Sequence, residues 1–388
     1  MVLRVDTNPQ MIVWALERAG KHPHELGKEL ADKVPAWQAG TQQPTLKQLE
    51  KFAKKVHVPL GYLFLPEPPE EPVPIPDFRT FANRKVRRPS PDLLDTIYIC
   101  QQRQEWYREY AELNRLNGVP FVGTKSIDDE PKKVAREIAE FIGFGMRERA
   151  ECKTWEEALR LLRERIEDAG VLVMNSGIVG ANTHRKLNVE EFRGFALSDD
   201  LAPLIFVNGA DTKAGQIFTL AHELAHLWQG QTALSNIGMR NTRGFRQEEV
   251  WCNRVAAELL VPMDALREEL AASNTRDVRE LKNELARHFK VSTLVILRRL
   301  LDARHLERGD FEELWQREMA FLRERVQERG SGGNAYNTLP VRLSRRFLRA
   351  LFVSTLEGHT LYRDAFRLMG VKKTETFQRL GKELGVLA

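Results

Sequence analysis

Two histidines and a glutamate stand close together in the sequence HELAH, where His222 and His226 are four residues apart and Glu223 follows the first histidine. On an α-helix, side chains four residues apart project from one face, so both imidazoles can reach a single metal ion. The Glu223 carboxylate would lie beside that ion, where it could accept and return a proton. The spacing predicts a zinc-dependent peptidase, and the alternative is a chance match.

A third ligand is expected on a neighbouring element, because catalytic zinc usually has three protein ligands and one open position. Residues 248–262 read as a second helix that ends near Pro262, with Glu249 and Asn253 on one face. The resemblance of this pair to the pattern of zincins whose third ligand is Glu favours Glu249 as the third ligand. Glu248 is the rival ligand, with a solvated charge as its alternative interpretation.

The HELAH sequence must lie on a buried helix for these side chains to converge. Apolar residues recur at helical spacing from Ile217 to Trp228, and Gly230 stands just beyond the predicted end. Two short apolar runs, 193–198 and 202–208, are bounded by turn residues and read as strands. With a further strand at 171–174, these segments predict a predominantly helical α+β fold with a small sheet.

Residues from about 130 to 300 resemble the ImmA/IrrE metallopeptidase family, through HELAH, the preceding residues 218–221 and the later segment 253–262. The resemblance implies a zincin-like core and an endopeptidase that cleaves a helix-turn-helix transcriptional repressor. Zn²⁺ is the implied ion, with Mn²⁺ as the alternative. In zincins whose third ligand is Glu, an Asp or Asn follows one turn later. Asn253 fits that position and would accept the distal N–H of a zinc-bound histidine.

The substrate strand and the mechanism are also expected to follow the zincins. In that group an edge strand above the metal pairs with an extended substrate, an arrangement that we expect here, with an ordinary core strand as the alternative. The residues of this candidate strand are Leu204, Ile205, Phe206, Val207 and Asn208. Zinc would acidify its water and Glu223 would take the proton. The sequence does not choose among His184, Asn208 and Arg246 as the group that stabilises the oxyanion.

Residues 1–66 resemble an XRE-type helix-turn-helix domain, with helices expected near 11–18, 24–30, 35–39 and 46–56, the last capped by Thr45. Such a domain reads DNA with a helix in the major groove. The candidate DNA-binding residues are Lys33, Trp37, Gln38 and Gln42. The segment between Leu26 and Trp37 is a few residues shorter than the XRE pattern. Sequence-specific DNA binding and a retained scaffold or protein-docking surface therefore both stay open.

A proline-rich segment divides the chain, because one third of the prolines fall in residues 66–76. We expect a stiff linker over 67–90. The catalytic core with its preceding helices would then span 91–265. Within it, residues 91–114 form a predicted helix whose aromatic residues Trp106, Tyr107 and Tyr110 are expected to pack against the catalytic domain.

The C-terminal third reads as two helical modules. Residues 266–330 have helix-turn-helix character, with Ser292 as a predicted N-cap. Residues 331–388 form a basic module, with 10 basic and 4 acidic residues. The cluster of Arg342, Arg345, Arg346 and Arg349 could meet DNA phosphates or an acidic partner, and the alternative is a solvated basic face.

Composition limits the cellular setting and the classes of function. The three cysteines, Cys100, Cys152 and Cys252, form no CxxC pair, which favours a reducing cytoplasm. No apolar run reaches transmembrane length, so no membrane partner is expected. The net charge of +5 does not by itself argue for nucleic acid. A zinc endopeptidase is the leading hypothesis. The alternative is a DNA-binding regulator or antitoxin-like protein whose peptidase core is residual or binds a partner.

Overall fold

The computed structural model describes residues 4–77, 89–235, 247–275, 277–327, 339 and 341–387, with side chains to 321 in the last helix before the final gap. The described residues form two units. One contains residues up to 74 together with 89–97. The other contains 75–77 and the described residues from 98 onward, so both predicted C-terminal modules lie in the unit that holds HELAH.

The first unit is built from short helices around one hydrophobic core. Its named helices are α1 (Pro9–Ala19), α2 (Lys28–Ala31), α3 (Val34–Gln38) and α4 (Leu46–Val56). Thr45 accepts a hydrogen bond from the Gln48 backbone N–H, and the Gln48 side chain accepts one from the Thr45 N–H, which confirms the predicted N-cap. α3 has only 5 residues, in keeping with the shortened sequence before Trp37.

Trp37 belongs to the core of this unit. Its side chain is 2 % exposed and packs edge-on against Phe52, with ring centroids 6.1 Å apart. The prediction that Trp37 contacts DNA is therefore wrong, because its indole is inside the unit. Lys33 and Gln38 are half-buried and Gln42 is exposed.

The remaining elements begin with a long helix and then alternate between helices and strands. Before the HELAH helix they are α5 (Pro91–Leu113), α6 (Pro131–Ile142), α7 (Met146–Ala150), α8 (Trp155–Asp168), β1 (Leu172–Ser176), β2 (Gly194–Leu197) and β3 (Leu204–Asn208). They continue with α9 (Lys213–Trp228), β4 (Ala233–Ser235), α10 (Gln247–Leu260), α11 (Met263–Ala272), α12 (Val278–Phe289), α13 (Thr293–Asp302) and α14 (Arg308–Gln327). The last three are α15 (Arg345–Leu356), α16 (Tyr362–Met369) and α17 (Thr374–Glu383).

The described strands form one sheet in the order β1-β3-β2-β4. β3 is parallel to β1 on one side and antiparallel to β2 on the other, and all its residues are buried. The prediction that Leu204, Ile205, Phe206, Val207 and Asn208 dock a substrate by strand addition is therefore wrong, since both edges of β3 are already paired. The edges of the sheet are β1 and β4, and the Leu234 N–H of β4 donates to the Pro76 carbonyl at 2.9 Å.

The HELAH helix, α9, lies at the centre of the second unit. All its residues from Gln216 to Trp228 are buried, as expected for a helix that is covered on every side. It packs against α8, α10, β2 and β3. The fold is thus the predicted helical α+β fold with a small sheet. No described helix is long and apolar enough to cross a membrane.

The aromatic cluster of α5 contacts the C-terminal helices. Trp106 packs edge-on against Phe347 of α15, with centroids 5.4 Å apart, and its Nε1–H donates to Thr360 Oγ1 at 3.2 Å. The Tyr107 hydroxyl accepts from Arg346 Nε at 2.8 Å. Trp106 and Tyr107 thus contact the C-terminal module, a partner that the sequence did not predict for them.

Most of the predicted basic face is likewise used within the molecule. Arg342 donates to the Gly180 carbonyl, and Arg345 Nη1 lies 3.2 Å from Glu164 Oε1. Arg346 contacts Tyr107, so three of the four arginines have partners within the described residues, while binding of the cluster to DNA or to an acidic partner stays a prediction. Arg349 is exposed. In the preceding segment, Ser292 accepts from the Val295 N–H at 3.3 Å, which confirms the predicted cap of α13.

Candidate metal centre

One turn of α9 presents both histidines to the same side. The helix begins at Lys213, where the Thr212 hydroxyl accepts from the Gly215 N–H at 3.0 Å. His222 and His226 are fully buried, and their ring centroids are 4.8 Å apart. Their Nε2 atoms approach to 3.1 Å, so both nitrogens point at the same space.

α10 brings Glu249 to that space from across the core. Glu249 Oε1 lies 3.0 Å from His226 Nε2, and Oε2 lies 3.3 Å from His222 Nε2. The carboxylate is 2 % exposed. Among the described residues, these three form the group whose ligand atoms converge closely enough to hold a metal ion.

The donor atoms fit a divalent cation. Two ligands about 2.05 Å from a tetrahedral ion lie about 3.3 Å apart, close to the separations of 3.0 to 3.3 Å found here. Once the two Nε2 atoms are deprotonated, they and the Glu249 carboxylate offer lone pairs to one point, and none of the three is exposed to solvent. A cation at this point would satisfy all three.

The protonation of Glu249 and His226 also suits metal binding. Burial raises the pKa of Glu249, but the charge of His222 and the hydrogen bonds from His222 and His226 outweigh it and hold the pKa well below the usual range. Burial lowers the pKa of His226, against the opposing effect of Glu249. An ionised carboxylate and a neutral imidazole are the forms that bind metals.

Glu223 lies next to the ligands but is not one of the converging group. Its side chain is fully buried, and neither carboxylate oxygen makes a hydrogen bond to the described residues. Burial and then the negative charge of Glu249 raise its pKa well above the ordinary value, against the smaller opposing effect of the nearby Ser235 hydroxyl. A buried carboxyl group with uncommitted oxygens is suited to accept and donate a proton in the adjacent space.

Two residues outside the predicted set shape this site. A Cβ added to Gly194 of β2 would lie 3.1 Å from Glu223 Oε1, so this glycine leaves room for the carboxylate. The Ser235 hydroxyl at the end of β4 donates to Glu249 Oε1 at 3.4 Å. The sequence gives little indication that either residue belongs to the site, because each is only a small residue at the end of a strand. Their positions at the site depend on how the strands pair.

Asn253 does not make the contact expected of it. Its Oδ1 atom is buried and accepts no hydrogen bond from the described residues, and His222 Nδ1 is likewise buried without a partner among them. The predicted hydrogen bond from a histidine N–H to Asn253 is therefore corrected for this structure. Glu248, the rival ligand, is half-buried and is not part of the converging group.

Asn208, one of the candidates for oxyanion stabilisation, is committed to other hydrogen bonds. Asn208 is fully buried, its amide donates to the Phe192 carbonyl at 3.1 Å, and its Oδ1 accepts from the Ala210 N–H. These bonds fix the turn after β3. His184 is exposed in the segment between β1 and β2, and Arg246 lies outside the described residues.

Comparison with known families adds an independent observation. Residues 343–383 match the model of a domain of unknown function, DUF8813. No curated protein and no solved structure matches the chain. Residues 156–301 match the model of the IrrE N-terminal-like domain, Peptidase_M78. The segment from α8 to α13, which contains the whole histidine and glutamate cluster, is thus similar to an ImmA/IrrE-type peptidase domain.

Proposed function

We propose that this chain is a zinc-dependent endopeptidase whose metal ligands are His222, His226 and Glu249. The observation that carries the proposal is the buried convergence of these ligand atoms, at 3.0 to 3.3 Å, beside the uncommitted carboxylate of Glu223. The similarity of residues 156–301 to a peptidase domain supports the same function.

Zinc is the preferred ion because the donor set contains two imidazoles and one carboxylate, a combination found in catalytic zinc sites. Mn²⁺ prefers sites richer in carboxylate and water oxygens. It remains the alternative ion, which a measurement of metal content would distinguish from zinc.

The residues of this chain would have two roles in the proposed hydrolysis, which are metal binding and proton transfer. When bound, zinc supplies a Lewis acid that polarises a carbonyl and acidifies water. Glu223 would accept the proton released as the scissile carbonyl is attacked and would deliver it to the leaving amine. Gly194 keeps the space beside the Glu223 carboxylate clear. Ser235 orients Glu249 through the contact to Oε1.

The proposed substrate is a helix-turn-helix transcriptional repressor, which the resemblance to ImmA/IrrE peptidases suggests. A repressor encoded beside this chain is the first candidate. Docking of that substrate cannot use β3, because both edges of the strand are paired.

The test compares the wild type with Glu223→Gln and with Glu248→Gln as the matched control. Glu248 carries the same charge on α10 and does not belong to the converging group. We expect zinc in all three proteins and cleavage of the neighbouring repressor by wild type and Glu248→Gln only. Cleavage by Glu223→Gln at the wild-type rate would refute the role of Glu223. Protein that takes up no metal and binds operator DNA would favour the regulator instead.

A further inference from the structure

A polar cavity of about 550 Å³ lies where α5, α8 and α15 meet, away from the metal centre. Three arginines of α15, three acidic residues of α8 and two tyrosines of α5 line it. Its volume falls within the range of small-molecule sites. The DUF8813 match begins just before α15, so this cavity joins that module to the peptidase-like segment.

Some of the charged groups are already committed to each other. Arg345 Nη1 pairs with Glu164 Oε1 at 3.2 Å, and the Arg345 backbone N–H donates to Glu167 Oε1 at 3.0 Å. Arg346 uses its Nε–H on the Tyr107 hydroxyl at 2.8 Å. These bonds hold α15 against α8 and α5 and fix the walls of the cavity.

Other groups remain available to a ligand. Arg349 and Asp168 are exposed and make no hydrogen bond or ion pair to the described residues. The two terminal nitrogens of Arg346 also have no such partner in the described part of the chain. The uncommitted charges are thus two guanidinium groups on one wall and one carboxylate on the other.

An aromatic surface completes the cavity. Tyr110 is half-buried and stacks on Trp106, with ring centroids 5.7 Å apart and planes at 17°. This stacking fixes one face of the phenol ring. A ring held in this way can receive a planar group without losing side-chain freedom.

We propose that this cavity binds a phosphorylated nucleoside. Arg346 and Arg349 would hold the phosphate, whose charge of about −1.5 to −2 matches two guanidinium groups. Asp168 would accept from ribose hydroxyls, as acidic residues do in dinucleotide sites. Tyr110 would contact the base. The proposal goes beyond the peptidase function and does not depend on it.

Binding here should stabilise the second unit. α8 lines the cavity with Glu164 and Asp168, and its opposite face contributes Leu162 and Ile166 to the core shared with α9. A ligand that bridges α8 and α15 would therefore raise the melting temperature of the full-length protein, because it binds only the folded state.

The experiment is isothermal titration of the full-length protein with AMP, GMP, CMP and UMP, and separately with inorganic phosphate and adenosine. We expect at least one nucleotide to bind, with phosphate and the nucleoside each at least about ten-fold weaker. Arg349→Ala should weaken nucleotide binding by about ten-fold or more, since a charged hydrogen bond is lost. Arg349→Lys should restore part of it. Asp168→Asn should weaken nucleotide binding without changing phosphate binding.

Arg363→Ala is the matched control, because Arg363 belongs to the same C-terminal module and its side chain is 84 % exposed. It should bind like the wild type. Failure of all four nucleotides to bind, or wild-type affinity in Arg349→Ala, would overturn the assignment. Equal affinity for phosphate and the nucleotides would overturn the nucleoside part. Melting curves verify that each variant is folded, which is expected for Arg349 because it makes no hydrogen bond or ion pair to the described residues.

Discussion

Replacement of Gly194 by alanine is the sharpest test of how the sheet supports the candidate catalytic glutamate. A Cβ at this position would lie 2.5 Å from Thr219 Cγ2 and 2.8 Å from the Phe206 carbonyl oxygen. Ordinary contacts begin at 3.4 Å, so the two distances are about 0.9 Å and about 0.6 Å too short. The new methyl group would also approach Glu223 Oε1 to 3.1 Å.

The strain has few ways to relax. The clashing carbonyl oxygen of Phe206 belongs to the backbone of β3. In this strand Phe206 is paired with Met174 of β1 on one side and with Phe195 of β2 on the other. Thr219 is 1 % exposed and lies one turn before Glu223 on α9. The methyl group must therefore push α9 and β2 apart, at a cost of about 1–3 kcal/mol in the free energy of unfolding. A displacement of Glu223 approaching 1 Å would lower the turnover rate by about 100-fold.

The assay combines repressor cleavage, zinc content and thermal unfolding of the full-length protein. For a unit of this size, each kcal/mol corresponds to about 1.5–2 °C in melting temperature. Gly309→Ala is the matched control, because a Cβ there would meet no atom of the described residues within 4 Å. It should leave cleavage unchanged and raise stability slightly. Wild-type melting temperature and cleavage in Gly194→Ala would refute the close approach of β2 and α9.

Three further changes follow from the contacts of the described residues. Chelation of the metal should lower the melting temperature, since an ion at 100 times its Kd stabilises the folded state by about 2.7 kcal/mol. An unchanged melting curve after complete metal removal would contradict a metal site in the core. Ser235→Ala should weaken zinc affinity by about ten-fold through loss of the bond to Glu249, which competition with a chelator measures against Ser273→Ala, a serine distant in sequence. Trp37→Ala should destabilise the first unit by about 3–5 kcal/mol, because the indole is buried against Phe52. Hydrogen exchange of the α1 and α4 amides would report this loss, and unchanged protection there would show that Trp37 is not part of the core.

The features predicted correctly from the sequence are those decided within one or two helical turns. Thr45 and Ser292 cap their helices because each hydroxyl reaches a backbone N–H three residues later. The HELAH helix is likewise predicted from local sequence, because its apolar residues recur at helical spacing. His222 and His226 share a face because of helical geometry alone, so their approach depends on no distant contact.

The errors concern residues whose environment depends on distant parts of the chain. The resemblance to XRE-type domains places Trp37 among the DNA-binding residues, but its indole packs in the core against Phe52. The apolar run of β3 is equally compatible with an edge strand and with an inner strand. Only its pairing with β1 shows that it is an inner strand. Trp106 packs on Phe347, more than two hundred residues away.

The same division applies within the candidate site. Glu249 converges on the histidines. Its place on the helix that follows HELAH, one turn before Asn253, can be read from the sequence. Asn253 lies one turn further on α10, but whether it meets a histidine depends on the rotation of α10 against α9. That rotation depends on packing across the core and not on spacing within the segment, and Asn253 Oδ1 accepts no hydrogen bond from the described residues.

The register of β2 links the two carboxylates of the site. Gly194 is paired with Val207 of β3 on one side and with Ser235 of β4 on the other. Gly194 faces Glu223, while the Ser235 hydroxyl reaches Glu249. A slip of one residue would reverse the faces of the strand. It would turn the ring of Phe195 toward the space beside Glu223. In the observed register this ring is stacked on the ring of Phe206, with centroids 5.0 Å apart. The buried aromatic packing on the other face of the sheet therefore also keeps that space clear.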